Sequence, residues 1–503
     1  MSIYDVVIIG GGHNGLVASA YLSKAGLKTL VVERRGINGG MAATENIFPG
    51  YKINTGAIVV GRLRPGLEED LQLKSFGLKF MRWDPISFTP LPDGRHFFMY
   101  RDITKTCEQI AKFSKKDSIQ YPKFVKFISE FANDIESLVW SPARSLTEII
   151  ERLETVDRGD LARLLTTSTK DILDEYFESD EIKGTLSWHT TDSTNAGPMS
   201  AGSAWELGAH FVIWKDFRIA VGGIGSVSDA ISKSAVNLGA EIRNNLQVTK
   251  IIVDNGQVKG IKTSSGKIIN SKCVVSNLDP KSTFLYLIER DDLPENIFNQ
   301  VNRIKCHGVG TKIICLLDKL PNFKSISDKK SLDHYRLFNI MPSLDYVEKA
   351  WDAAKYGKLP DKPMIQGYIP TITDSSLAPP NKHILEAWTQ YTPYNLKEDT
   401  WDNMREVHYE NFLRTMSEYT TNMREVISDK MILTPKDFEK RFFVTEGQAN
   451  QIDMGINQRL TWSDNRTDIK GLYLCGATCT PAGVNGAPGY NAAEAVISDW
   501  KNL

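Results

Sequence analysis

Six residues near the amino terminus, Gly10-Gly11-Gly12-His13-Asn14-Gly15, stand where a β-branched run beginning at Ile3 and reading Asp5-Val-Val-Ile-Ile9 gives way to the helical pattern Leu16 to Ala25. Glycines at Gly10, Gly12 and Gly15 remove Cβ atoms where a strand must turn tightly, approach a pyrophosphate and pack on the helix that follows. The free N–H groups at that helix start and the positive end of its dipole hold anionic oxygen, with charge-assisted hydrogen bonds of ~1.5–3 kcal/mol each. Gly26 stops the helix and Leu27 to Val32 reads as a second buried strand. Glu33 at its tip lies 18 residues beyond Gly15, where a carboxylate accepts hydrogen bonds from both ribose hydroxyls. A 2′-phosphate at ~4 Å would be repelled by ~1 kcal/mol in water and ~4 kcal/mol at a protein surface, so the expected ligand is an adenosine with a free ribose, as in FAD or NAD. His13 and Asn14 then read as loop residues beside that ligand rather than as catalysts.

Two further segments separate FAD from NAD. After Glu33 the chain runs Arg34-Arg35-Gly36-Ile37-Asn38-Gly39-Gly40, a second glycine pair able to bring backbone N–H groups to the same pyrophosphate while an arginine balances its charge. Near the other end, Ile469 to Cys475 reads as a strand delivering Gly476-Ala477, and Pro481-Ala-Gly483-Val-Asn-Gly486-Ala-Pro488-Gly489 precedes the helical run Tyr490 to Trp500. A helix amino terminus aimed at an isoalloxazine ring favours the negative charge that gathers around N1 and the C2 carbonyl of a reduced flavin. The chain has one complete dinucleotide fingerprint, so electrons are expected to come from an organic substrate. They leave to oxygen, a quinone or a partner, or return to the substrate in an isomerisation.

Hydride transfer from an apolar C–H needs alignment at ~3–3.5 Å and exclusion of water more than it needs a strong base. If a side chain takes part, Trp188-His189-Thr-Thr-Asp192 and His210 supply the candidates: His189, Asp192 and His210 bring titratable groups into an otherwise apolar stretch. Residues of this kind are more often satisfied structural groups than catalysts. The six cysteines are scattered, and the only close pair, Cys475 and Cys479, is spaced CxxxC; both read as packing residues, which excludes disulfide-reductase chemistry and a zinc site. No metal is expected.

The chain has 503 residues, 41% apolar and 24% charged, with 60 Lys plus Arg against 61 Asp plus Glu. A net charge of −1 sets aside nucleic-acid binding, which rests on a large basic surface. Gly471 to Ala493 is free of charge but rich in Gly, Pro and polar residues, so no transmembrane helix is expected there. Cysteine usage and the lack of a signal peptide point to a cytoplasmic setting, with peripheral membrane contact left open. Nothing in the chain specifies an oligomeric state.

Positioning these segments requires a cofactor domain assembled from separate parts of the chain. Ala240 to Asn277 reads as strands with turns at Asp254-Asn255-Gly256 and Ser264-Ser265-Gly266, preceded by a helix opened by Gly223-Ile-Gly225-Ser226. The first insertion is mostly helical. Ser114-Lys-Lys-Asp117 is a capping box before a run with Phe124, Phe127, Ile128, Phe131, Ile135 and Leu138 on one face, and Ser168-Thr-Lys-Asp171 repeats the device. The stripe reads as core-facing rather than membrane-dipping, because acidic residues flank it. The second insertion mixes strands (Thr311 to Leu317, Met364 to Tyr368, His383 to Tyr391) with a helix from about Asp402 to Ile427. Its Trp388, Tyr391 and Tyr394 read evenly as core or as a binding surface above a flavin.

At these residues the sequence resembles the phytoene dehydrogenase-related flavoproteins, which include carotenoid desaturases, carotenoid isomerases and retinol saturases. It is most similar to the branch related to pyridine nucleotide-disulphide oxidoreductase domain proteins. The resemblance spans nearly the whole chain through Asp5 to Glu45, Phe88 to Arg95, Gly222 to Ile231, Val274 to Phe284, Asp374 to His383 and Gly471 to Val496. It implies an α/β fold: a Rossmann-like FAD-binding domain of the glutathione-reductase and amine-oxidase kind, with an inserted α+β substrate domain. The expected boundaries are 1–85, 215–285 and 456–503 for the three parts of the FAD domain, 86–214 for a mainly helical insertion and 286–455 for an α+β substrate domain. The resemblance also implies that Gly10, Gly12, Gly15, Glu33, Arg34, Gly39, Gly40, Gly476, Gly486, Pro488 and Gly489 line the cofactor, with Ala477 beside them and Val248 passing the adenine.

The implied substrate is a polyene or other lipid, oxidised, reduced or isomerised at a carbon–carbon bond. Where relatives tend to carry a histidine before the last flavin segment, this chain has Glu446-Gly447-Gln448-Ala449-Asn450-Gln451-Ile452-Asp453, so the substrate and any shared proton donor stay open. Two other readings are kept: an amine or polar-metabolite oxidase on the same scaffold, and a flavin-carrying interaction protein with little turnover.

Overall fold

The computed structural model describes residues 4–141, 145–214, 216–327, 331–459, 462, 464–479 and 483–503. Ile3, Pro481 and Ala482, singled out above, lie outside them. The β-branched run forms strand β1 (Tyr4–Ile9), the glycine loop opens helix α1 (His13–Lys24), and strand β2 follows (Thr29–Val32). β1 and β2 pair in parallel from Val6↔Thr29 to Ile9↔Val32. They sit within a seven-stranded sheet whose order is 248–254, 257–263, 268–276, β1, β2 and 241–243, with 472–474 also pairing with 268–276.

Strand Ile268–Ser276 joins two kinds of pairing. Its first residues run antiparallel to 257–263, as the turn-forming residues at 254–256 and 264–266 require, and its later residues run parallel to β1 (Val6↔Cys273 to Ile9↔Ser276) and to 472–474. A parallel sheet must be covered on both faces. Helices α1, Gly225–Asn237 and Ala487–Asp499 share one apolar cluster through Leu16, Val17, Ala20, Val227, Ile231, Ala493 and Val496. The opposite face buries Val7, Leu30, Val274 and Phe284. Fold class and the Rossmann-like unit are as expected.

A second seven-stranded sheet runs in the order 427–433, 310–317, 383–390, 364–368, 338–340, 87–90 and 96–99. Gly310–Leu317 is buried along its whole length and pairs antiparallel on both sides. The short strands Ser87–Pro90 and His96–Met99, inside the stretch 86–214 expected as a mainly helical insertion, instead complete this sheet, so its helical part begins only at Ile103. In the helical layer, Lys115–Trp140 buries Phe124, Ile128, Phe131, Ile135 and Leu138, while Phe127 stacks on Tyr176. The aromatic stripe therefore faces core, and no helix among the described residues is long and apolar enough to cross a membrane.

Two local expectations change. Ser114 caps its helix by accepting from the Asp117 N–H, but the Asp117 carboxylate turns outward to the amides of Glu178 and Ser179, both at 2.9 Å, tying two helices together instead of closing a reciprocal box. At Ser168 the full box forms. The expected helix over 402–427 ends at Tyr419 and resumes for one turn at Met423–Val426. Thr420 and Asn422 are drawn to the neighbouring loop, where Asn422 accepts from the Asn322 N–H at 2.6 Å and Thr420 bridges to Phe323. Cys475 and Cys479 are buried free thiols.

Candidate active site

The fingerprint loop is built by close backbone approach. A Cβ on Gly15 would lie 2.3 Å from the Gly10 carbonyl oxygen, so only glycine lets α1 start this near the end of β1. The Gly39 N–H donates to the Gly11 carbonyl at 2.7 Å and Gly40 lies against Gly12, so the two glycine segments stand side by side as one cradle. Glu33 is almost fully buried at the tip of β2, where its carboxylate accepts from the Gly11 and Arg35 N–H groups, each at 2.8 Å. Asn277, from the end of strand 268–276, closes the other wall, its amide 2.6 Å from where a Gly12 Cβ would stand. At the start of α1 two buried polar atoms, His13 Nε2 and Asn14 Oδ1, have no hydrogen-bond partner among the described residues. A glycine cradle with such atoms fits a bound dinucleotide.

Other expected cofactor residues are placed less directly. Gly476 follows strand 472–474 and Ala477 reaches the cavity described next. Gly486 precedes the last helix, and Pro488 and Gly489 open it; a Cβ on Gly489 would lie 2.1 Å from the Asn14 carbonyl, so this glycine lets that helix cross the start of α1. Val248 is buried at the head of its strand, in the apolar cluster with Leu30 and Val32. The Arg34 side chain departs from expectation. Its guanidinium donates to the carbonyls of Lys440 and Arg441 and lies over Phe443, away from the loop, because the carbonyls at the end of helix Pro435–Phe442 attract a cation. Arg35 reaches back instead, to the Gly40 carbonyl at 3.4 Å and to Glu45 at 2.7 Å.

From the start of α1 a cavity of about 220 Å³ extends between the cofactor unit, the helical layer and the second sheet. His13, Ala42, Ala477 and Val484 line its inner end, and Ile58, Val59, Ala209, Trp388 and Phe438 form apolar walls. Burial pulls the His13 imidazole down to about 4, so it is neutral. The three catalytic candidates converge here. His189, on the one-turn helix Trp188–Thr191, and His210, on Trp205–Trp214, face each other at 3.1 Å between Nδ1 atoms, and His210 Nε2 lies 3.6 Å from Asp192 Oδ2. Burial and the neighbouring His210 ring lower the His189 imidazole to about 3.

Of the three aromatic candidates, Trp388 faces this cavity and anchors its indole N–H on Gln390 at 2.9 Å. Tyr391 and Tyr394 instead line a separate cavity of about 470 Å³ beside His307 and Asp453. There the Asp453 carboxylate, 2.5 Å from His307 Nδ1, holds that imidazole above its ordinary range. In the segment lacking the relatives' histidine, Gln448 bridges Asn195 and Asp453, while Asn450 lines the first cavity. The imidazoles of the first cavity come from elsewhere in the chain.

Sequence reasoning missed Lys312 and Glu386. Both are fully buried in the second sheet, with Lys312 Nζ 3.1 Å from Glu386 and 2.8 Å from the Gly56 carbonyl, and Glu386 accepting from the Asn54 N–H at 3.1 Å. Burial pulls the lysine down and pushes the carboxyl up. The pair bonds both ends of the segment Asn54 to Gly56, of which Gly56 lines the cavity. A readable signal existed: one cation in Thr311-Lys-Ile-Ile-Cys and one anion in Ile384-Leu-Glu-Ala, each alone in an apolar strand.

Comparison with known proteins agrees with this geometry. Residues 8–66 match the NAD(P)-binding Rossmann-like domain family. The chain is 31% identical to the pyridine nucleotide-disulfide oxidoreductase domain-containing protein 2 of Rattus norvegicus, over 99% of this chain and 94% of that protein. It is 26% identical to a limonene dehydrogenase subunit of Castellaniella defragrans, over 98% of this chain and 94% of that protein. Among solved structures, cyclohexylamine oxidase from Brevibacterium oxydans superposes with a TM-score of 0.62 at 15% identity, covering 99% of both chains, which is a likeness of fold. The cofactor is FAD, which the loop, Glu33 and the second glycine pair would hold. Full-length identity of 31% together with this cradle shows that the chain belongs to the family of pyridine nucleotide-disulfide oxidoreductase domain-containing protein 2, among the FAD-dependent oxidoreductases.

Proposed function

We propose that the chain oxidises, reduces or isomerises a carbon–carbon bond in a hydrophobic, isoprenoid or lipid-like molecule. The observation that carries this reading is the wall of the cavity: Ile58, Val59, Ala209, Trp388 and Phe438 are apolar, and no lysine or arginine among the described residues lines it. An apolar molecule loses its hydration there and gains ~25 cal/mol for each Å² of surface removed from water. Bound FAD supplies the two-electron acceptor or donor for such a bond.

The chain's own residues hold the cofactor through the backbone cradle, exclude water with the Trp388 and Phe438 rings, and close the cavity with Asn450 and Met454. A limonene dehydrogenase among the relatives supports an isoprenoid. Electrons then pass to oxygen, a quinone or a partner, or return to the substrate. The amine-oxidase alternative has a point in its favour, since Asp192 and Glu206 place carboxylates at the cavity, but Asp192 already faces His210.

The test is anaerobic. Limonene, retinol and a lycopene isomer, each in detergent micelles, and putrescine and cyclohexylamine in buffer, are added to the FAD-loaded protein while the visible flavin band is followed. Bleaching by an isoprenoid and not by an amine is expected. Bleaching by an amine alone would overturn the reading, and an unchanged band with every compound would favour an interaction protein.

A further inference from the structure

We infer that His189, His210 and Asp192 form a proton relay in which Nε2 of His189 takes a proton from the substrate, or returns one, while the accompanying positive charge settles on His210 beside Asp192. The inference rests on the oxidoreductase reading above and names the groups that handle its proton. His189 and His210 come from different helices and meet Nδ1 to Nδ1 at 3.1 Å. Two ring nitrogens at that distance share one proton, so one ring donates and the other accepts.

Asp192 decides which. Its carboxylate, 3.6 Å from His210 Nε2, attracts a protonated nitrogen and repels a lone pair, so His210 carries its hydrogen on Nε2. In the neutral pair His210 Nδ1 is then the acceptor and His189 donates from Nδ1. Nε2 of His189 is left as a lone pair, and this ring lines the cavity.

The proton and electron balance is closed. Desaturation removes one hydride, carrying two electrons, and one proton from the adjacent carbon, which is acidified once the hydride has left. FAD is the hydride acceptor. The proton bonds to His189 Nε2, the proton on His189 Nδ1 passes to His210 Nδ1, and the resulting imidazolium stands against the Asp192 carboxylate. Saturation runs the same transfers in reverse. Burial opposes a charge on His189 itself, which is held down to about 3, and the second ring moves that charge to the carboxylate.

The other groups facing the pair fit this assignment. Glu206 lies one turn before His210 on the same helix and lines the cavity, adding negative potential. His13, from the phosphate loop, is kept neutral by burial. The rings of Trp188 and Phe211 flank His189 and carry no charge.

The test uses the FAD-loaded full chain with 15N-labelled histidine, read by long-range nitrogen–proton correlation NMR. Loss of signals in His189→Gln and His210→Gln assigns the two rings among the eight histidines. At neutral pH His189 is expected as the Nδ1–H tautomer and His210 as the Nε2–H tautomer. Asp192→Asn removes the charge that selects this tautomer and should raise the share of the Nδ1–H form of His210. His189 found as the Nε2–H tautomer, or a tautomer ratio of His210 unmoved by Asp192→Asn, would overturn the relay. The tautomers are read without substrate. Failure of every isoprenoid to bleach the flavin therefore refutes the substrate class alone, and wrong tautomers refute the relay alone.

Discussion

Replacing Lys312 by methionine tests whether the buried ion pair in the second sheet holds the cavity wall. Lys312 and Glu386 are both 0% exposed, so the substitution strands a carboxylate that water cannot reach and frees the Gly56 carbonyl from its donor. Breaking one partner of a buried pair costs about 3–5 kcal/mol. With an unfolding entropy of about 2.1 cal/mol/K per residue, the 503-residue chain loses roughly 3–5 °C in Tm for that cost.

The sign of the pH dependence is also set. Burial raises the Glu386 carboxyl in the folded protein, and an unfolded glutamate titrates near 4.3, so the folded chain binds the proton more tightly. The contribution of this carboxyl to stability is then fully present below about 4.3 and is lost as pH rises to the raised folded value. Removing Lys312 raises that value further and extends the decline upward. Thermal unfolding of the FAD-loaded variant should therefore show a deficit that is larger at pH 8 than at pH 5. Lys312→Met combined with Glu386→Leu should recover most of it, short of the Asn54 N–H that has lost its acceptor. A Tm within about 1 °C of the parent protein at pH 8, or a deficit that does not change with pH, would refute the reasoning.

Gly15→Ala sets a Cβ 2.3 Å from the Gly10 carbonyl, a backbone atom with no freedom to yield; at ~1–3 kcal/mol for overpacking, FAD affinity should fall about 5- to 150-fold, read as flavin absorbance retained after desalting. Arg34→Ala should leave FAD affinity within about twofold, because the guanidinium bonds the Lys440 and Arg441 carbonyls. The loss should appear in thermal stability instead, at about 1 kcal/mol. Tenfold weaker FAD binding in that variant would return Arg34 to the pyrophosphate.

The cofactor unit was readable from the chain because its determinants are local. Gly10, Gly12, Gly15, Gly26 and Glu33 lie within one strand–helix–strand unit, in which Gly15 meets the Gly10 carbonyl and Glu33 the Gly11 N–H. The meander over 248–276 was equally readable, since Asn255-Gly256 and Ser265-Gly266 set both turns. The break in the helix after Tyr419 was not, because it follows from a bond between Asn422 and Asn322, a hundred positions apart. Arg34 and Arg35 were indistinguishable in sequence; the neighbouring helix end at 442 draws one away.

At the candidate site the residue types were legible and their relation was not. Titratable groups at His189, Asp192 and His210 stand out in an apolar stretch, but whether two imidazoles on separate helices point at each other depends on the packing of those helices. That the start of α1 is shaped for a dinucleotide follows from the order of residues alone, since backbone amides and missing Cβ atoms are properties of the local chain. Which walls enclose the cavity, which aromatic rings face it, and that Lys312 meets Glu386 were settled by packing. Burial and distance between segments far apart in sequence are set only when the two sheets and the helical layer come together.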